Sequence, residues 1–355
     1  MSLDRLLTLG LESPPVYPLL AGFTLRKTVI EHVIFQGAIR EIARLHQRWI
    51  DLKIPEGMLL VAQTGAGKST ILKYYRDQFP RFDSPTGTQI PVLYVATPES
   101  PSVRDLAEAI LDALGDPAAD KGSTRTKTRR IVNFFKQCGV QMLLIDEFQH
   151  FADSKYVKEA KRVSDWLKLL IEEVKLPVVL AGLPRAIAVV NRNPQLRRRF
   201  GAPFHLRPFG FETEDERTEF RTVLKKIHSL IPAECECPPL HGVELAERFY
   251  YASLGLFDYV IKVVETAVSK TALAHGGKVT LKVLAEAFDD AVWKFAPDEL
   301  NPFNEKAMLR RLTKPGEPFD IWDDLRKYTG SGPRRRKPKS APAPAATANV
   351  AGAVA

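Results

Sequence analysis

Residues 61–70 read VAQTGAGKST, a stretch whose residue types suit a phosphate group. Gly65 and Gly67 let the backbone turn so that N–H groups point inward around anionic oxygens. A helix opening near Ser69 would direct its positive dipole end to the same anion. Lys68 would neutralise the terminal phosphates of a nucleotide, and the Ser69 hydroxyl would coordinate Mg2+. The stretch fits the phosphate-loop pattern at every fixed position except the first, where Ala62 stands in place of glycine. Gln63, Thr64, Gly65, Ala66, Gly67, Lys68, Ser69 and Thr70 are therefore the candidate nucleotide-binding residues. A chance glycine turn is the plain alternative, but an apolar run before the loop and Lys-Ser in register argue against it.

The second chemical signal is LLIDEFQH, residues 143–150. An apolar run ends in Asp146, with Glu147 next. At the C-terminal end of a parallel strand, Asp146 would hold Mg2+ and Glu147 would polarise an attacking water as general base. His150 reads as a polar loop residue, or as a sensor of nucleotide or DNA. In NPQLRRRF (193–200), Arg197, Arg198 and Arg199 form either a solvated helix end or a finger that reaches a neighbouring subunit's γ-phosphate. Cys235 and Cys237 lack the His or Cys partners of zinc spacing.

Strands and helices must hold these groups in place. MLLVA before the glycine loop, 91–97, 141–146 and 177–182 are short apolar runs sized for buried strands. Helical spacing occupies 28–51, the segment from Ser69, 102–114 closed by Gly115, 128–138 and 158–174. Such alternation predicts an α/β fold, a parallel sheet covered on both faces. After Pro208 the alternation stops, and helices at 213–230, 243–252, 256–274 and 280–294 predict a smaller all-helical domain, with Phe249, Tyr250, Tyr251 and Phe257 in its core. The expected organisation is an irregular lead-in (1–27), an α/β domain (28–209), a helical domain (210–298), an extension (299–330) and a flexible tail (331–355).

The 355 residues are 45% hydrophobic and 26% charged, an ordinary globular composition that excludes a wholly disordered chain. No apolar run approaches a membrane span, no secretory leader is expected, and an odd count of 3 cysteines suits a reducing cytoplasm. The net charge is +9, and Arg334, Arg335, Arg336, Lys337 and Lys339 of the tail supply much of it. The strongest internal basic cluster is Arg125, Lys127, Arg129 and Arg130, read either as a DNA-backbone contact or as a soluble loop and helix start.

The order of these motifs resembles an AAA+ ATPase. More narrowly, YVATPESPSVRDLAEAILDALGDP, DEFQH and AGLP, between VAQTGAGKST and LRRRF, resemble the TniB/TnsC type of transposition ATP-binding protein over residues 25–295. The resemblance implies a P-loop AAA+ sheet followed by a helical lid, with ATP and Mg2+ as cofactors. It implies an ATPase that assembles as a homo-oligomeric ring or filament on double-stranded DNA. Its other partners would be a transposase and a target-selection protein. By the same resemblance Lys68, Ser69, Asp146 and Glu147 carry the nucleotide chemistry, and Arg199, then Arg198, is the choice for a finger acting in trans. Two departures stand out. The family's polar sensor at the tip of the fourth strand is missing, since Gly182 is followed by Leu183, and Asp258 stands where the lid carries an arginine. The departures leave open a nucleotide-gated scaffold with little turnover. Another AAA+ remodeller, a replication loader or a secretion ATPase, is also open.

Overall fold

In a computed structural model the described residues are 20 and 22–320, without 86, 100, 153–156 and 274–276. Most of the expected lead-in and the whole tail, with its basic cluster 334–339, lie outside the described residues.

Five strands form one parallel sheet in the order β4-β5-β6-β1-β7: β1 (Gly57–Ala62), β4 (Val92–Ala96), β5 (Met142–Asp146), β6 (Val178–Gly182) and β7 (Phe204–Leu206). Its register brings the strand tips to one edge. Val61 lies opposite Gly182, and Ala96 lies opposite Asp146. Along a strand, side chains alternate between faces. Leu59, Leu143 and Leu180 enter the core under α3 (Val103–Leu114), α4 (Thr124–Gln137) and α5 (Val157–Val174). Leu60, Leu144 and Ala181 enter the core under α1 (Val33–Leu52) and α2 (Lys68–Asp77). Burial on both faces explains why these strands read as continuous apolar runs. Each buried leucine adds roughly 1.5–3 kcal/mol.

Three features differ from the expectation. The sheet has a fifth strand, β7, and a hairpin of β2 (Phe82–Ser84) and β3 (Gly87–Gln89) lies outside it. Both are too short to show a periodicity. The first helix also starts later than residue 28. His32 is extended and caps α1, its Nδ1 accepting from the Phe35 N–H at 3.3 Å. Residues 22–32 instead form a strap, from which Leu25 and Ile30 join the helical core downstream.

That core belongs to α8 (Glu214–Ser229), α9 (Val243–Ser253), α10 (Phe257–Leu273) and α11 (Leu281–Ala291), which follow the two short helices α6 (Ala186–Asn191) and α7 (Pro194–Arg197). Phe220, Phe249, Val260 and Phe288 fill it. The segment after α11 packs on it too: Phe303 meets Phe249 edge-on at 5.0 Å, and Asn301 donates to the Ala285 carbonyl at 2.9 Å.

Candidate nucleotide site

The loop between β1 and α2 makes its turn through Gly65 (φ 76°) and Gly67 (φ 86°), both in the left-handed region that favours glycine. Gly67 caps α2, so the helix N-terminus opens directly onto the loop. Ala62 needs no glycine freedom: it is the last residue of β1, paired with Leu206, and its methyl lies in the core. Lys68 is buried and folds back on its own loop, donating to the carbonyls of Ala62 (3.3 Å) and Gln63 (2.9 Å). Burial lowers its pKa, while Glu147 and Asp146 pull it back upward.

Asp146 ends β5 with its carboxylate fully buried. Its Oδ1 accepts from the Glu147 N–H at 2.8 Å, and its Oδ2 accepts from the Tyr94 hydroxyl at 3.0 Å. Burial first, then Asp146, raises the Tyr94 pKa, so this hydroxyl stays a donor. Thr97 clamps the strand end, its Oγ1 donating to the Asp146 carbonyl at 2.7 Å. Glu147 follows at φ 54°, an unusual backbone for a side-chain-bearing residue, before the 3-10 turn Phe148–Ala152. Its carboxylate accepts from Gln149 Nε2 and lies 3.8 Å from His150 Nε2.

The loop and Glu147 face one cavity of about 320 Å³, and the buried Asp146 lies next to Glu147 at the strand end. Thr64–Ile71, Glu147, Gln149 and Leu183 line its polar end. Val29, Ile30, Phe35, Phe257 and Ile261 line an apolar end, which fits a planar base. The strap and α10 supply most of that apolar end; sequence reading found the helix at 256–274 but placed neither element at the site. The strap is tied to α10 by Glu265, whose Oε1 accepts from the Leu25 N–H (2.7 Å) and the Thr24 hydroxyl (2.8 Å) and whose Oε2 accepts from Arg26 (3.2 Å). Asp258 of α10 sits on the glycine loop itself. A methyl on Gly65 would lie 2.9 Å from the Asp258 Cβ.

The donor set fits a magnesium ion. Ser69 and Asp146 offer hard oxygens, and the buried Asp146 carboxylate has no ion-pair partner among the described residues. No three His, Cys, Asp or Glu gather to hold a metal among the described residues. A hard cation here would rely on nucleotide oxygens and water for its remaining ligands.

The arginine run lies elsewhere. The Arg199 carbonyl accepts from the Gly57 N–H at 2.8 Å, at the start of β1, whereas the glycine loop follows its end. Five strand residues of ~3.3 Å rise put about 17 Å between these ends. Arg199 therefore sits at the opposite end of β1 from its own chain's glycine loop. Its Nη2 donates to Glu172 at 2.8 Å, while Arg198 is exposed.

The basic cluster is not a single face. It occupies the first turns of α4, capped by Ser123, rather than preceding that helix. Arg125 and Arg129 are exposed. Arg130 is half-buried on Asp116. Lys127 is 0% exposed, paired with Glu108 at 3.1 Å and donating to the Ala119 carbonyl. Its expected role at the DNA surface is corrected: helix phase turns it inward, where it closes an internal ion pair.

The family model for bacterial TniB protein matches residues 24–210. Among solved structures, the chain is similar to the ORC2 protein of Aeropyrum pernix in ADPNP-ADP complexes, with 14% identity and a TM-score of 0.58, over 79% of this chain and 72% of that one. It is similar to Cdc6p of Pyrobaculum aerophilum, with 11% identity and a TM-score of 0.56, over 81% and 74%. It is also similar to Drosophila ORC bound to DNA, with 12% identity and a TM-score of 0.53, over 81% and 72%. No curated protein sequence matches the chain. Likeness at these identities establishes the fold, a P-loop AAA+ sheet with helices added at its C-terminal side.

Proposed function

The chain belongs to the bacterial TniB family, and from that premise we propose that it is an ATP-hydrolysing regulator of DNA transposition. The observation that carries this reading is the single cavity shared by the Gly65–Ser69 loop and Glu147, the residue that follows Asp146 at the end of β5. ATP lies with its base between the strap and α10 and its phosphates on the loop. Lys68 leaves the Ala62 and Gln63 carbonyls and turns to the phosphate oxygens. Ser69 and Asp146 would hold Mg2+, which would supply charge neutralisation for the phosphates. Glu147 takes a proton from a water as its oxygen attacks the γ-phosphorus. The bond to the β-phosphate oxygen breaks, leaving ADP and phosphate.

Arg198 and Arg199, at the opposite end of β1 from their own glycine loop, serve a neighbouring subunit's nucleotide. ATP thereby favours a homo-oligomer, a ring or filament. It assembles on double-stranded DNA through Arg125 and Arg129, and it recruits a transposase and a target-selection protein. A second reading, a nucleotide-gated scaffold with slow turnover, is favoured by the Asp258 carboxylate standing against the loop where a cation would assist hydrolysis.

Steady-state ATPase with and without duplex DNA, with micrographs of the same mixtures, separates the readings. DNA-stimulated turnover, lost in Glu147→Gln while assemblies persist, supports the enzyme. Assembly without turnover supports the scaffold. No ATP-dependent assembly overturns both.

A further inference from the structure

The tip of β6 lacks a polar side chain, since Gly182 is followed by Leu183. The structure fills that place from the neighbouring strand's loop. Gln149, in the 3-10 turn after β5, is 4% exposed and lines the nucleotide cavity. Its amide is used at both ends: Oε1 accepts from the Leu183 N–H at 3.0 Å, and Nε2 donates to the Glu147 carboxylate. Flipping the amide would set donor against donor at Leu183, so the surroundings fix its orientation.

Gly182 makes room for this bridge. A methyl there would lie 2.7 Å from Gln149 Oε1 and 3.0 Å from its backbone nitrogen. The bare strand tip and the amide above it therefore form one arrangement. Glu147 needs such support. Its backbone sits at φ 54°, and its side chain is half-exposed at the cavity wall, where free rotation would carry the carboxylate off line.

We propose that Gln149 is the positioning residue for Glu147. It supplies from the β5 loop the polar contact absent at the tip of β6, and it couples the base to the turn at Leu183. The proposal rests on the reading of Glu147 as general base. Gln149 adds no proton transfer of its own; its contribution is the angle and depth at which the carboxylate meets the attacking water. A misplacement of about 1 Å is enough to cost roughly 100-fold in rate.

The test is the split between ATP affinity and turnover in Gln149→Met, which keeps length and burial but loses the amide. ATP affinity should stay within about twofold, while kcat falls about 30- to 100-fold. Gln149→Asn, which returns the amide on a shorter stem, should recover part of that loss. Wild-type kcat in the Met variant overturns the proposal. So does a loss of affinity equal to the loss of kcat, or an Asn variant no better than Met, either of which would make Gln149 a packing residue. Glu147→Gln separates the premise. If it turns over normally, the base assignment fails with everything built on it; if it is inactive beside a fully active Gln149→Met, only the positioning role fails.

Discussion

The main-chain N–H of Asp258 donates to the carbonyl of Gly65 across 3.3 Å, so the helical domain rests on the glycine loop through a direct hydrogen bond. The Asp258 carboxylate also holds Lys262 at 2.7 Å and Arg26 at 3.6 Å. Two cations close to the phosphate site are thus engaged by an acid. Asp258→Asn keeps the backbone bond, removes a negative charge beside the loop and frees Lys262, while Arg26 stays paired with Glu265. ATP affinity should rise about 3- to 10-fold, the effect of roughly 1 kcal/mol at a partly exposed site. Calorimetry with Mg·ATP measures it, and weaker binding by the variant would show that the acid aims these cations usefully.

Glu265 fastens the other wall. Its carboxylate takes three donors from residues 24–26, which lead into the strap over the apolar end of the cavity. Glu265→Ala leaves the Leu25 N–H and the Thr24 hydroxyl without their acceptor, at a cost of about 1–3 kcal/mol for the buried donor. The strap should open more often, and bound nucleotide should leave about 10-fold faster. Stopped-flow release of a fluorescent ATP analogue reads the rate. An unchanged rate would mean that Ile30 and Leu25 hold the strap by packing alone.

His32 makes the junction of strap, sheet and lid sensitive to acid. Its ring packs against Phe209 (4.8 Å), Phe257 (5.8 Å) and Phe35 (6.1 Å). Burial, then the nearby Lys226, lowers its pKa from 6.5 to about 4. Between those values the unfolded chain binds a proton that the folded chain does not. Stability is therefore lost as pH falls through that window. His32→Asn retains an N-cap acceptor without the titration and should flatten the decline between pH 7 and pH 5. Urea midpoints across that range measure it. His46, His205 and His228, also lowered by burial, will leave a residual slope, so an identical slope in the variant counts against His32.

The glycine loop and the Asp-Glu strand end could be read from sequence because each is a short local pattern bounded by an apolar strand. β7 was not legible: Phe204–Leu206 is three residues long, with no room for a period. The end of the strap, residues 28–32, was absorbed into the first helix because Val29 and Val33 happen to be four apart, while the cap at His32 went unread. Asp258 and Glu265 lie some two hundred residues from the groups they touch, and only tertiary packing joins them. Lys127 is different, for a signal existed. It stands four before Ile131 and eight before Phe135, both buried, so extending the helical phase back from them would have turned it inward.

That inward turn separates two outcomes within one basic cluster. Arg125 and Arg129 are exposed near the start of α4, free to face a phosphate backbone. Replacing both with alanine should weaken duplex binding and reduce the slope of log affinity against log salt by about two, one per lost phosphate contact. Lys127→Ala should instead act on the fold. It removes a fully buried side chain and leaves the Ala119 carbonyl and Glu108 without their cation, a loss of about 2–4 kcal/mol in stability. Its salt slope, measured below the unfolding transition, should match the wild type. Fluorescence anisotropy over a salt series, paired with urea melts, tests both at once. A Lys127 variant with a lowered slope and an unchanged melt would put its ammonium back on the DNA, and an unaltered slope in the double arginine variant would move the DNA track off α4.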